Sequence, residues 1–238
     1  MRVRDDRVTS SLSARVFSWS GAALFVGSLA YFLFAYLTTF GNPATGSQSL
    51  MPITTNVALF TVFAVHHSLF AREYVRQWIA NHVAPIVERS LYVWVASFLL
   101  IAVCVLWQPV PGEAWSVNGK GLWVLRVLQV GAIWLTLQSA ALLDARQLAG
   151  LRAAQSDVVT FKTRGPYGWV RHPIYTGWFL LVFTVSPMTM TRLVFAVVSC
   201  VYLLIAIPFE ERSMRALSRD EYERYVDQVR WRLVPGVY

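Results

Sequence analysis

Two stretches of this 238-residue chain hold residue types that can do chemistry together. The first begins at Thr163 and reads Thr-Arg-Gly-Pro-Tyr-Gly-Trp-Val-Arg-His-Pro-Ile-Tyr-Thr-Gly-Trp. Gly165-Pro166 and Gly168 break any helix there and let the backbone approach a ligand. Arg171-His172-Pro173 follows at the mouth of an apolar block, with Pro173 placed as an early helical residue. A helix start offers free N–H groups to an anion, and an adjacent arginine adds a fork that matches a carboxylate. The second stretch, Pro208-Phe209-Glu210-Glu211-Arg212, closes the same apolar block. Alone, the two glutamates read as the solvated end of a helix. If the block folds as a hairpin, Arg171 and His172 lie beside Glu210 and Glu211, and a functional pairing becomes the better reading. Such a set suits a zwitterion: cations for a carboxylate, and carboxylates for an amine, hydroxyls or a sulfonium. Tyr167 and Trp169 add rings that can stack on a flat one.

The elements that must position these groups are membrane helices. The chain is 56% hydrophobic and 14% charged, with a mean hydropathy of +0.47, too apolar for an ordinary soluble domain. A bilayer core requires about 20 apolar residues per helix. Four long candidates cover roughly 16–40, 53–70, 90–107 and 121–143, and the apolar block from Ile174 to Phe209 reads as a tight hairpin of two short helices, interrupted by Ser186-Pro187 and Arg192. The expectation is an all-α, polytopic integral membrane protein of about six transmembrane helices, the last two a hairpin over 174–209, with a cytosolic C-terminal cap. It forms one domain: four N-terminal spans over 16–143, then a ligand-binding region over 144–238.

The net charge of +8 does not mark a nucleic-acid binder, because the cations follow topology. Eighteen of the 21 fall in the N-terminal tail, the 71–89 loop, the 144–172 segment and the tail after 209, on alternate sides of successive spans. The 41–52 connection is uncharged, and 108–120 carries only Glu113 and Lys120. The positive-inside rule then places both termini in the cytoplasm of a multi-pass protein of the inner (plasma) membrane. No cleavable signal peptide is expected. Arg126 and Arg192 lie near helix ends, where snorkelling accounts for them.

Beyond the block, Ser218 and Glu221 read as a capping box opening a three-turn helix. Tyr222, Tyr225, Val226 and Val229 share one face, to dock on the membrane surface or on the polar segment, and Pro235 ends the register. Cys104 and Cys200 read as small buried hydrophobes. His66 and His67 point about 100° apart on a helix and cannot readily share a metal ion; a hydrogen-bonded role is expected, with a substrate-channel role for His67 as the minority reading. Glu88-Arg89 reads as a structural ion pair, and Trp19, Trp94, Trp107 and Trp123 as interfacial anchors. No metal is signalled.

S-adenosyl-L-methionine carries every group that the 163–212 constellation is suited to hold. Arg171-His172-Pro173-x-Tyr175-x-Gly177, then Glu210-Glu211, then Glu221-Tyr222-x-x-Tyr225-x-x-x-Val229, resembles the isoprenylcysteine carboxyl methyltransferase and phospholipid methyltransferase superfamily over roughly 157–235. The resemblance implies a pocket for that cofactor, touched by Tyr167, His172, Pro173, Ile174, Tyr175 and Gly177, with Glu210 reaching in from the next helix. It implies that Val159, Thr160, Phe161 and Lys162 line the pocket with backbone. The chain departs from isoprenylcysteine enzymes at Ala206, where they hold an arginine one turn before the acidic pair. It departs again at Ser218-Arg219, in place of Phe-Gly.

The N-terminal half carries a second likeness. His67-Ser68-Leu69-Phe70-Ala71-Arg72, Pro85-x-x-Glu88-Arg89-Ser90-x-Tyr92 and Trp107-x-Pro109 are similar to bacterial methanethiol S-methyltransferases and NnrU-type proteins. This implies a small thiol acceptor first, then an isoprenylcysteine carboxylate or a phospholipid amine. Methyl transfer from a sulfonium is an in-line displacement in which the protein supplies position and electrostatics. A thiol must react as thiolate, which a nearby cation favours. Arg171, Arg212 and Glu211 are the candidate catalytic residues on this reading. An NADPH-dependent reductase and a non-catalytic membrane partner are the alternatives of other classes.

Overall fold

The computed structural model describes residues 12–47, 49–70, 72–83, 85–143, 148–151, 161 and 163–238. Among the described residues, eight α-helices carry the fold: α1 (Leu12–Leu37), α2 (Leu50–Phe70), α3 (Glu73–Ala80), α4 (Pro85–Leu106), α5 (Lys120–Leu142), α6 (Pro173–Phe183), α7 (Met190–Leu217) and α8 (Arg219–Gln228). Two short strands, β1 (Glu113–Trp115) and β2 (Met188–Thr189), pair antiparallel and bridge the α4–α5 and α6–α7 connections. Five helices, α1, α2, α4, α5 and α7, are long and apolar enough to cross a membrane. Their outer faces leave Trp123, Val127, Val130 and Leu137 exposed along α5 and Val16, Trp19 and Phe34 along α1, as lipid-facing surfaces do.

Contacts between named side chains fix which ends lie together. Ser18 and Ser90 share a hydrogen bond of 2.8 Å, and Trp94 donates to the Phe17 carbonyl at 3.0 Å, so α1 and α4 start side by side. Asn56, at the start of α2, clasps Gln108 just past the end of α4 through two bonds of 2.8 and 2.7 Å, so α2 runs antiparallel to α4. Ser90 also donates to the Gly150 carbonyl at 2.8 Å, bringing the segment after α5 to that same end. The middle of the bundle is aromatic. The Phe195 ring of α7 meets Phe32, Tyr36, Phe40, Phe60 and Trp107 at centroid distances of 5.2–5.8 Å. That packing anchors α7 against the N-terminal half of the chain.

Four expectations change. The hairpin does not consist of two short helices. Its first arm, α6, has 11 residues, about 16 Å of helix against a core of about 30 Å, so it is a shorter apolar helix beside the five long ones of the described residues. The residue before a proline is steered out of the α region, and 184–189 continues to the far side without helix up to Ser186-Pro187 and β2. Its polar groups are met inside the protein, as lipid requires. Ser186 donates to the Val117 carbonyl at 3.0 Å and accepts from its N–H at 2.8 Å, while Thr189 donates to the Phe40 carbonyl at 2.5 Å. The second arm, α7, is 28 residues long and runs through Pro208 and both glutamates to Leu217.

Arg192 does not snorkel. It is buried, and donates to the carbonyls of Tyr36 (2.9 Å), Leu37 (2.6 Å) and Pro187 (2.6 Å), capping the end of α1. Trp107 is likewise buried, donating to the Thr191 carbonyl at 3.3 Å, rather than standing at an interface. Ser218 makes no side-chain cap bond; it is the joint between α7 and α8, its N–H bonded to the Met214 carbonyl at 3.2 Å. The apolar stripe of α8 forms as expected and docks on the polar segment: Tyr222, Tyr225 and Val229 are buried with Phe161, Met214 and Val226 around them.

Candidate active site

The stretch after Arg164 turns on Gly165, whose φ of +60° is open to glycine and strained for other residues. The 3₁₀ turn Gly165–Gly168 follows, and Tyr225 of α8 donates to the Tyr167 carbonyl at 3.1 Å, holding that turn under the C-terminal helix. The backbone of Arg171 and His172 then pairs with the returning tail, their N–H groups donating to the Trp231 and Arg232 carbonyls at 2.8 and 2.9 Å. His172 caps α6, its carbonyl accepting from Tyr175 and Thr176, and Pro173 takes the first helical position. The expected meeting of Arg-His-Pro with Glu-Glu therefore occurs, and a third segment, the tail, completes it.

The two glutamates do different things there. Glu211 has no exposed surface. Arg171 Nε donates to its Oε1 at 2.9 Å, Arg232 Nη2 to its Oε2 at 3.1 Å, and Arg215 Nη1 stands 3.9 Å away. These partners keep it a carboxylate, since a buried ion persists only when paired. Glu210 keeps 44% of its side chain exposed and accepts from the Tyr175 hydroxyl. Between them lies buried His172, its Nδ1 3.6 Å from Glu210 Oε2 and its Nε2 3.4 Å from Glu211 Oε1. Both distances are long for hydrogen bonds, and Nε2 has no hydrogen-bond partner. The Tyr175 ring stacks on the imidazole at 5.5 Å. Burial, with the Glu210 charge beside it, pushes the Tyr167 phenol up to about 12, so it stays protonated.

The remaining sequence candidates divide. Pro173 is buried and Ile174 half-buried in the first turn of α6. Arg171 holds Glu211 through Nε and the carbonyls of Val229 (2.9 Å) and Arg230 (2.6 Å) through Nη1, which ties it to the tail. Arg212 is exposed, and among the described residues no ion pair joins it to the cluster. Gly177 faces α5: a Cβ there would run into Thr136 Oγ1 and come within 3.0 Å of the Ala132 carbonyl. Close helix packing explains it. Phe161 spends its ring on Tyr222 and Tyr225, at 5.1 and 5.8 Å. Trp169 is exposed. Val159, Thr160 and Lys162 lie outside the described residues. Sequence reasoning missed Arg232, whose membership depends on the tail folding back and leaves no local signal.

The cleft has a second wall. Arg72, just past α2, lays its guanidinium 5.2 Å from the Phe209 ring, next to Glu210. Tyr92 on α4 lies near enough to Glu210 and Tyr175 for their charges to act on it. Glu88 is buried 3.7 Å from Arg76, and Arg89, on which the Glu88 charge also acts, sits 5.0 Å over the Tyr92 ring.

A bundle of long apolar helices with a buried, carboxylate-bearing polar cluster at one end defines a multi-pass membrane protein. The isoprenylcysteine carboxyl methyltransferase family model matches residues 125–216, the stretch that carries the cluster. Methanethiol S-methyltransferase 1 of Bradyrhizobium diazoefficiens is 34% identical over 197 residues, covering 79% of this chain and 69% of that protein. Methanethiol S-methyltransferase of Mycobacterium tuberculosis is 35% identical over 190 residues, covering 74% and 76%. Nurim of Bos taurus is 27% identical over 191 residues, covering 71% and 70%. No solved structure matches. The chain belongs to the isoprenylcysteine carboxyl methyltransferase family, and it is a membrane methyltransferase.

Proposed function

We propose that this enzyme transfers the methyl group of S-adenosyl-L-methionine to a small thiol, methanethiol first, at the cytosolic face of the plasma membrane, with both termini in the cytoplasm. The observation that carries the reading is Glu210. It is a half-exposed carboxylate held by Tyr175 and facing His172, while its neighbour Glu211 is neutralised inside the protein. S-adenosyl-L-methionine, when bound, supplies an activated methyl group and its own leaving group. The residues fit it by chemistry: Glu210 accepts from hydroxyls or an ammonium, His172 Nδ1, 3.6 Å from Glu210, offers a polar contact, and Tyr167 and Tyr175 flank a flat ring. Pro173 and Ile174 close the floor. Arg171 acts by holding His172 and the tail in place. The thiol preference follows the names of the curated relatives, and Ala206 offers an acceptor carboxylate no guanidinium.

A charge-assisted hydrogen bond contributes about 1.5–3 kcal/mol. Glu210→Gln should therefore weaken equilibrium binding of the donor in detergent by about 10- to 100-fold. Unchanged donor binding in both Glu210→Gln and His172→Ala would sink this pocket. Labelled donor offered with methanethiol, an isoprenylcysteine analogue and a phospholipid amine then ranks the acceptors.

A further inference from the structure

Methyl transfer to a thiol leaves one proton without a destination. On the α6–α7 wall Glu211 is sealed by cations, and Glu210 is engaged by Tyr175 and faces His172. On the opposite wall, Tyr92 Oη is hydrogen-bonded with His67 Nδ1 at 3.0 Å and can donate to the His67 carbonyl at 3.3 Å. The His66 ring stacks on Tyr92 at 5.6 Å, and its Nδ1 is buried with no hydrogen-bond partner. His67 stands in the last turn of α2, one turn from the charged 72–83 segment, where a proton that reaches it has the shortest way out. The groups facing this pair are His66 from α2, Arg89 from α4, Tyr175 from α6 and Glu210 from α7.

We infer that Tyr92 and His67 form the relay that removes the proton of the acceptor thiol, an inference that rests on the thiol reading above. The S–H bond breaks and its proton passes to Tyr92 Oη, while the Tyr92 proton moves to His67 Nδ1. The freed sulfur pair forms the new S–C bond to the methyl carbon. The C–S bond of the sulfonium donor breaks, and its pair stays on the donor sulfur. His67 then releases its proton to water. Tyr92 gives up one proton as it takes the other, so it stays neutral and the positive charge ends on the imidazole.

The test compares an alkanethiol, mostly protonated at neutral pH, with an aromatic thiol that is mostly ionised there. Tyr92→Phe keeps the ring that packs on His66 and under Arg89 but loses the hydroxyl. It should lower kcat/KM for the alkanethiol by about 100-fold, the usual scale of general-base catalysis, and for the aromatic thiol by about threefold or less. Donor binding should hold, and the alkanethiol deficit should shrink as pH rises. His67→Gln should behave alike. Equal losses with both thiols, or no loss with either, would overturn the relay and leave Tyr92–His67 a latch between α2 and α4. A wild-type enzyme that methylates neither thiol would remove the thiol reading, and the relay with it.

Discussion

Replacing Glu211 by alanine asks whether one member of the acidic pair is there for structure alone. Its Oε1 lies 2.9 Å from Arg171 Nε, with 1% and 6% of the two side chains exposed. Removing one partner of such a buried pair costs roughly 3–5 kcal/mol. Arg232 and Arg215 are 34% and 39% exposed, so solvent screening reduces each of their shares to about 0–1 kcal/mol. Glu211→Ala should therefore cost roughly 4 kcal/mol, and Glu211→Gln, which keeps an acceptor oxygen for Arg171, about half that. The loss falls where the pair acts, on the seam between 171–172 and the tail. Hydrogen exchange reads that seam directly, because the Arg171 and His172 amides bond to the Trp231 and Arg232 carbonyls. At about 1.4 kcal/mol per tenfold, their opening should rise by two to three orders of magnitude in the alanine variant, while amides in the aromatic core around Phe195 change far less. If exchange at both amides stayed at the wild-type level while methyl transfer vanished, Glu211 would be acting in the chemistry and the clamp would be wrong.

Arg192→Met strips three carbonyls of their donor and should destabilise the protein by about 3 kcal/mol in detergent unfolding. Gly41→Ala, whose Cβ would fall on the Arg192 guanidinium, should act through the same cap, so the double variant should be little worse than Arg192→Met alone. Gly177→Ala should lower stability by about 1–3 kcal/mol through overpacking against α5. Adding Thr136→Ala should recover part of that loss, since the Ala132 carbonyl remains in the way; no recovery would place the strain elsewhere.

The meeting of Arg171-His172 with Glu210-Glu211 was legible in the sequence because an apolar block flanked by polar clusters has to return to the side it left. The long spans were legible for the same reason: lipid forces near-continuous apolar runs. The length of α6 was not, because hydropathy is blind to whether an apolar stretch is helical, and Val182 to Thr189 is apolar or small either way. Only Ser186-Pro187 marked the break. Arg192 was misread because its acceptors, Tyr36 and Leu37, lie in another helix. The tail partners of Arg171 were hidden for the same reason: the Val229 and Arg230 carbonyls reach it only once the chain has folded back. Gly177 sat inside a ligand motif for reasons of packing, which a spacing pattern cannot separate from contact.

The adjacency of Glu210 and Glu211 is itself what divides their duties. Consecutive residues on a helix point about 100° apart, so one α7 turn can aim a carboxylate inward and another into the cleft. Inward, Glu211 is ionised and surrounded by Arg171, Arg215 and Arg232. Into the cleft, Glu210 has only the Tyr175 hydroxyl and the His172 ring. Two unpaired carboxylates side by side would repel and favour protonation of one of them. Saturating Glu211 with guanidinium groups removes most of that repulsion, and it leaves Glu210 able to carry charge where a cationic ligand would meet it. On this reasoning, loss of Arg171 should impair Glu210 indirectly, by freeing Glu211 and His172 to compete for the same space. Arg171→Lys, which keeps the charge but not the three-way fork, should then weaken donor binding while leaving the protein folded.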